Sequence, residues 1–218
     1  MRRICVVITA RPSYSRIKAA LDAIAAAPGL ELHIVLAASA LLDRFGNLQD
    51  VLRDDGFTPS ARVFTVIEGD RPSTMVKTTG LGMIEMASVF EQLAPDVVVT
   101  IADRYETLAT AAAAAYMNIP VTHIQGGEVT GSIDEKVRHA VTKLSNLHFV
   151  ATETAADRVR RMGEPPESVF VTGCPSIDLA AAAAARPPIT SRELFSRYGG
   201  VGQRWIWRSP FSWFSNTP

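Results

Sequence analysis

The sequence predicts a doubly wound α/β fold, a parallel sheet with helices on both faces, and three observations predict it. Short apolar, β-branched runs recur along the chain, and helix-like segments separate them. The runs are apolar throughout instead of alternating, as strands buried on both faces must be. With 218 residues and 47% hydrophobic content, the chain can bury a core of this kind, and its length fits one α/β domain with extra sequence attached.

The first strand is expected over Ile4 to Thr9 and the first helix over Tyr14 to Ala27, which Pro28-Gly29 ends. A strand over Leu32 to Leu36, a short helix over Leu48 to Asp54 and a strand over Arg62 to Ile67 follow. Ser73 to Leu93 reads as a long helix, stopped by Ala94-Pro95-Asp96 before a strand over Val97 to Ile101. Tyr105 to Met117 is helical because alanine, filling Ala111 to Ala115, has the highest helix propensity. Asn118-Ile119-Pro120 then leads into a strand over Val121 to Ile124. Helices over Asp134 to Leu144 and Ala155 to Met162 alternate with strands over Leu147 to Ala151 and Val169 to Thr172, the last preceded by Gly163-Glu164-Pro165-Pro166.

After Asp178 an alanine-rich helix is expected, then Arg186-Pro187-Pro188, then a short helix from Ser191 to Tyr198 that Gly199-Gly200 ends. The organisation is therefore a Rossmann-like domain over 1–180, a connection over 181–202 and a tail over 203–218. The tail holds the three tryptophans, Trp205, Trp207 and Trp213, and continues neither period. It is expected to be disordered or out of frame.

A formal net charge of +0 gives no general attraction to nucleic acid or anionic membrane, so neither is expected as a partner. Cys5 in an apolar run and Cys174 in a distant Gly/Pro-rich turn read as reduced thiols of a cytoplasmic protein. The apolar stretch after Met1-Arg2-Arg3 is too short for a secretion signal or a membrane span. His123, His139 and His148 lack a metal-ligand spacing, so no metal is expected.

In open parallel sheets, ligands bind beyond the C-terminal ends of the strands, which directs attention to four turns. Ala10-Arg11-Pro12-Ser13-Tyr14 lacks the Gly-x-Gly-x-x-Gly of a dinucleotide site; Ser13 caps the next helix, or Arg11 faces a ligand phosphate, or both. Ala102-Asp103-Arg104-Tyr105-Glu106 puts an acid beside a base at a strand tip, with Asp103 also a candidate N-cap. The third turn, His123-Ile124-Gln125-Gly126-Gly127-Glu128-Val129-Thr130-Gly131-Ser132-Ile133-Asp134-Glu135, combines three glycines with acidic and amide groups, and such backbone can approach a ligand closely. Its alternative is a surface loop ending in a Ser132/Glu135 capping box. Asp134, with Arg138 at i+4, suits a base held in a cleft. His123 and His139 border this loop and are candidates to touch ligand, whereas His148 reads as a core residue. Thr172-Gly173-Cys174-Pro175-Ser176-Ile177-Asp178 reads as a strand-to-helix junction with Ser176 near the cap.

These four turns, in this order, resemble the UDP-N-acetylglucosamine 2-epimerase family over Met1 to about Gly202. Gly126-Gly127-Glu128-Val129-Thr130-Gly131-Ser132-Ile133-Asp134-Glu135, followed by Arg138-His139-Ala140-Val141-Thr142-Lys143-Leu144, resembles its hydrolysing branch. The resemblance implies the first domain of a glycosyltransferase-B-like two-domain fold, with a nucleotide-sugar in the cleft between the domains and no cofactor. A homo-oligomer is compatible with it for full-length members. The implied chemistry removes the sugar's C2 proton and expels UDP to give a 2-acetamidoglucal, which water converts to free N-acetylmannosamine.

By the same resemblance Asp134 is the candidate base and Asp103 the candidate acid or water-orienting group. Gln125 stands at a catalytic position where the family usually has Glu, and Glu128 is a candidate substitute. Arg11 and Arg104 match positions near the nucleotide-sugar, while Arg138, His123 and His139 complete the expected substrate-binding set. Pro12-Ser13 replaces the more common Ala-Asp, and Ile101 falls where many members have His. Two other outcomes are consistent with the sequence: a non-hydrolysing epimerase that returns UDP-N-acetylmannosamine, and a truncated nucleotide-sugar-binding domain without turnover. A neighbouring-frame reading of Gln203 to Pro218 permits a sequence resembling the strand that opens the family's second domain.

Overall fold

The computed structural model describes residues 1–101, 104–185, 187, 190, 193 and 196. The expected tail and most of the expected Ser191 to Tyr198 helix lie outside these. Among the described residues, seven strands form one sheet: β1 (Arg2–Ile8), β2 (Leu30–Ala37), β3 (Ala61–Val63), β4 (Val97–Ile101), β5 (Val121–Ile124), β6 (Leu147–Val150) and β7 (Val169–Val171). The α-helices that accompany them are α1 (Arg11–Ala26), α2 (Leu48–Asp54), α3 (Pro72–Leu93), α4 (Tyr105–Tyr116), α5 (Ile133–Lys143), α6 (Glu153–Arg161) and α7 (Pro175–Ala184).

The strand order is β3-β2-β1-β4-β5-β6-β7, and every pairing is parallel. Both faces are covered, and the sequence of β1 shows why. Successive side chains of a strand point to opposite faces. Cys5 and Val7 join one core with Met86 and Phe90 of α3, Ala111 and Ala114 of α4, and Val141 of α5. Val6 and Ile8 join the other with Ile17 and Leu21 of α1 and Leu48 and Leu52 of α2. A smaller cluster of Val150, Ala155, Ala156, Val159 and Val169 holds α6 against the end of the sheet.

The alanine run of α4 is buried from Ala111 to Ala114. Small side chains there let α3 approach closely: a Cβ added to Gly82 of α3 would lie 2.9 Å from the Cβ of Ala109. Residues Met1–Leu179 form one compact unit. Of Ala180–Pro218, which clusters separately, the described part comprises the end of α7 and a few single positions. No helix among the described residues is long and apolar enough to cross a membrane.

Several element ends differ from expectation for physical reasons. α1 begins at Arg11 instead of Tyr14, because Pro12 sits in the first turn, where its missing N–H is no loss. Its N-cap is Ala10, with no side-chain cap, and Ser13 is a buried residue inside the helix; the expected Ser13 cap is corrected. β3 stops at Val63 because its partner β2 ends at Ala37, opposite Val63, leaving Phe64 to Ile67 no ladder to extend. The N-cap of α4 is Arg104, not Asp103.

Candidate functional site

The sheet order reverses between β1 and β4, so the loops leaving these two strands diverge and open a crevice at their C-terminal ends. Arg11 follows β1 and Arg104 follows β4, one on each side of this switch point. Ala102 and Asp103, the latter the candidate acid, lie outside the described residues.

Arg11 is exposed, and its Nη1 donates to the Phe45 carbonyl at 2.6 Å. Gly46, in the left-handed region at φ +89, lies flat against that guanidinium: a Cβ there would meet Arg11 Nη1 at 2.1 Å. The loop after β2 thus contacts the Arg11 guanidinium, and the backbone conformation of Gly46 at φ +89 is what favours glycine there.

Arg104 is held by a buried carboxylate. Its Nε donates to Glu106 Oε2 and its Nη2 to Glu106 Oε1, both at 3.1 Å. Glu106 is only 4% exposed. Burial disfavours the charged guanidinium, but Glu106, Tyr105 and Asp134 outweigh it, so Arg104 keeps its proton more firmly than an ordinary arginine. Asp134, in the first turn of α5, contributes to this in the same direction as Glu106 and less than it.

The glycine loop after β5 is fastened mainly by its own surroundings. Gln125 leaves the strand in the left-handed region at φ +64 and is 6% exposed. A non-glycine residue there is strained by about 1–3 kcal/mol, a cost that clusters at functional sites. Its Nε2 donates to Cys174 Sγ at 3.3 Å. The Gly127 carbonyl accepts from Arg158 at 3.0 Å and the Glu128 carbonyl from Arg138 at 2.7 Å. Gly127 presses on α6, where a Cβ would lie 2.3 Å from the Ala155 carbonyl oxygen. The paired glycines thus serve the packing of the loop, a reason the sequence did not disclose.

His123 is completely buried, with Nδ1 3.1 Å from Thr142 Oγ1, and a Cβ on Gly126 would meet both groups at 3.0 Å. It packs against Thr142 of α5 and against Gly126 of the loop. Arg138, 3% exposed, is likewise a clamp on the loop in this structure. Glu128 and His139 are partly exposed. His148 is the core residue expected, with Nε2 3.2 Å from Glu164 Oε2.

The capping box at α5 forms with a shift. Ser132 is the N-cap and accepts from the Asp134 N–H, while the Glu135 carboxylate reaches further back, accepting from Thr130 and Gly131 at 2.8 and 2.7 Å. These two N–H groups hold the Glu135 carboxyl below the usual carboxylate range. Asp134 sits in the first helical turn, where the helix dipole favours a negative charge.

Cys174 immediately precedes α7 and its Sγ accepts from N–H groups of the first turn, in which Ser176 lies, near the cap as expected. Burial opposes ionisation of its thiol, but the N–H groups of Ser176 and Ile177 and the Gln125 amide outweigh it, so the thiol lies below its ordinary value. Both cysteines are free, and burial pushes Cys5 up to about 12. Among the described residues no group of three or more His, Cys, Asp or Glu side chains could hold a metal ion.

Sequence reasoning found the loops, with Glu106 and Cys174 among their residues, but gave neither of these a part in the site and did not single out Ser39 or Arg158. For Cys174 a signal existed, its place just before Pro175 at a helix start; for Glu106 none did, since a glutamate in a first helical turn is ordinarily a solvated one.

Comparison with known proteins bears on the same residues. A family model described as UDP-N-acetylglucosamine 2-epimerase matches residues 22–198. The chain is 37% identical over 178 residues to the UDP-N,N'-diacetylbacillosamine 2-epimerase (hydrolyzing) of Legionella pneumophila subsp. pneumophila, covering 82% of this chain and 47% of that protein. It is 29% identical over 201 residues to the UDP-N-acetylglucosamine 2-epimerase of Neisseria meningitidis serogroup B, covering 92% and 52%. A crystal structure of UDP-GlcNAc 2-epimerase from Neisseria meningitidis bound to UDP-GlcNAc superposes with a TM-score of 0.76 at 21% identity, covering 90% of this chain and 54% of that one. That likeness shows the fold, a Rossmann-like half of a glycosyltransferase-B-like architecture. The chain spans about half the length of the relatives it matches.

Proposed function

Since the chain belongs to the UDP-N-acetylglucosamine 2-epimerase family, we propose that it forms the first cleft wall of a hydrolysing 2-epimerase acting on a UDP-linked 2-acetamido sugar. The C2–H bond breaks as a base takes the proton, the C1–O bond breaks as UDP leaves, and C1 and C2 become doubly bonded in a 2-acetamidoglucal. Water then adds its hydroxyl to C1 and a proton to the opposite face of C2, giving the free, C2-inverted sugar.

The observation that supports this reading is placement: Arg104 follows β4 and Asp134 lies in the first turn of α5, which follows the neighbouring strand β5, so both belong to loops at the C-terminal ends of adjacent parallel strands. The C2 proton is weakly acidic, so a placed carboxylate and a cation near the leaving phosphate must share the work. Asp134 is the proposed base and Asp103 the proposed acid or water-orienting group. Arg104 and Arg11 face the diphosphate. Gln125 cannot ionise, and its amide serves to orient substrate or water at the position where a carboxylate is usual.

A UDP-linked diacetylated sugar is the second reading of the substrate, favoured by the 37% identity to the Legionella protein. The test is incubation of a version carrying both domains with UDP-N-acetylglucosamine and with UDP-N,N'-diacetylbacillosamine, followed by NMR of the products. Free UDP and a free 2-epimer are expected. A UDP-linked 2-epimer as the end product contradicts the hydrolysing reading.

A further inference from the structure

Glu106 belongs to none of the expected roles, yet it lies at the centre of the switch point. Its carboxylate is buried in the first turn of α4, and the half-exposed Arg104 closes a two-pronged contact on it, through Nε and Nη2. Ser39 Oγ stands 3.2 Å from Glu106 Oε1 and 2.9 Å from the Thr9 carbonyl, within hydrogen-bond distance of both. Thr9 leaves β1, Ser39 leaves β2 and Glu106 follows β4, so one carboxylate ties three strand tips together across the crevice.

The geometry excludes a merely solvated glutamate. Behind the carboxylate is a hollow of about 10 Å3, bounded by Thr9, Ala38, Thr65 and Thr78. A space that size admits one water at most. Ala38 itself adopts the left-handed region at φ +50 as the chain turns into Ser39. A guanidinium is planar with five N–H donors in a fixed fork, so binding one edge to a fixed carboxylate sets the direction of the other edge.

Resting on the nucleotide-sugar reading, we infer that Glu106 is a positioning residue: it fixes Arg104 so that the remaining N–H groups meet the diphosphate of the substrate. It does not touch substrate itself. A pre-set fork loses less freedom on binding than a mobile one, and the benefit falls on affinity.

The experiment uses a version carrying both domains, labelled with 15N-arginine, with the Arg104 Nε–H signal assigned by its disappearance in Arg104→Lys. In the unsubstituted chain the signal should be distinct and slowly exchanging, and should shift saturably on addition of UDP-N-acetylglucosamine. In Glu106→Gln its exchange should quicken at least about tenfold and affinity fall about tenfold, a range set by loss of one charge-assisted pair. Glu106→Asp, which keeps the charge on a shorter stem, should fall between. Signals of the buried Arg138 and of Arg158 should stay in place, which reports that the fold is intact. Should Glu106→Gln fail to fold, Ser39→Ala, which removes one support and no charge, should quicken Arg104 exchange severalfold. Unchanged exchange and affinity in the folded variants overturn the positioning role and leave the nucleotide-sugar reading standing. If the Arg104 signal of the unsubstituted two-domain version responds to neither UDP-N-acetylglucosamine nor UDP-N,N'-diacetylbacillosamine, the nucleotide-sugar reading fails at this residue and the inference fails with it.

Discussion

Replacing Gly127 with alanine puts two separable penalties on the glycine loop. Gly127 holds φ +77, and left-handed backbone costs an alanine about 1–2 kcal/mol relative to glycine. The new Cβ would also lie 2.3 Å from the Ala155 carbonyl oxygen, 2.9 Å from its carbon and 3.0 Å from Val159 Cγ2. The carbonyl is part of α6 and cannot rotate away, so relief requires the loop to lift, at about 1–3 kcal/mol for an overpacked contact. The sum, about 2–5 kcal/mol, is a large fraction of the roughly 5–15 kcal/mol that holds a domain folded. Gly131 supplies the control: its φ is +71, but nothing lies within 4 Å of its Cβ position, so Gly131→Ala carries only the backbone penalty. Urea unfolding of the two variants, followed by circular dichroism, should show Gly127→Ala the less stable by about 1–3 kcal/mol, the overpacking share alone. Equal destabilisation would refute the claim that contact with α6, and not turn geometry alone, requires glycine there.

Two further outcomes concern titration. The Glu135 carboxyl is lowered by the N–H groups of Gly131 and Thr130, so its stabilisation is complete above the unfolded value of about 4.3 and is lost as pH falls through the lower folded value. Amide exchange at Thr130 and Gly131 should therefore show an acid-induced opening that Glu135→Gln abolishes; a pH response identical in that variant contradicts the assignment. At neutral pH, iodoacetamide should label Cys174 and leave Cys5, whose thiol is fully buried and pushed up to about 12, untouched until the chain unfolds. Mass spectrometry reads the outcome, and Cys5 labelling at a rate comparable to Cys174 would contradict the core packing around β1.

The fold was legible because its central strands are short, apolar β-branched runs that fit burial on both faces, and Val97 to Ile101 and Val121 to Ile124 match the expected bounds to the residue. What failed depended on partners. The end of β3 is set by where β2 stops, and the start of α1 by the tolerance of Pro12 in a first turn; neither is a property of the segment's own composition. At the site, the sequence supplied the loops and the charged residues in them, because strand ends on a parallel sheet share one edge. It could not show that His123 and Arg138 face inward, since burial of a polar side chain depends on a distant acceptor such as Thr142 Oγ1 or the Glu128 carbonyl. Nor could it separate Glu106, fixed by Ser39 and Arg104, from any solvated glutamate of a helix start.

The claim that Asp134 is the group that takes the sugar's C2 proton has one direct measurement. A version carrying both domains is incubated with its UDP-sugar in deuterated water, and deuterium at C2 of the free sugar is followed by NMR against the Asp134→Asn variant. Asparagine keeps the size of the side chain and removes its basicity. The unsubstituted protein should release UDP and a 2-epimer fully deuterated at C2, while the folded variant should lose exchange and turnover together by about a hundredfold to ten-thousandfold, as for loss of a general base. Near-normal deuterium incorporation by a folded Asp134→Asn variant would contradict the account, leaving Asp134 a residue of the α5 first turn and requiring another base.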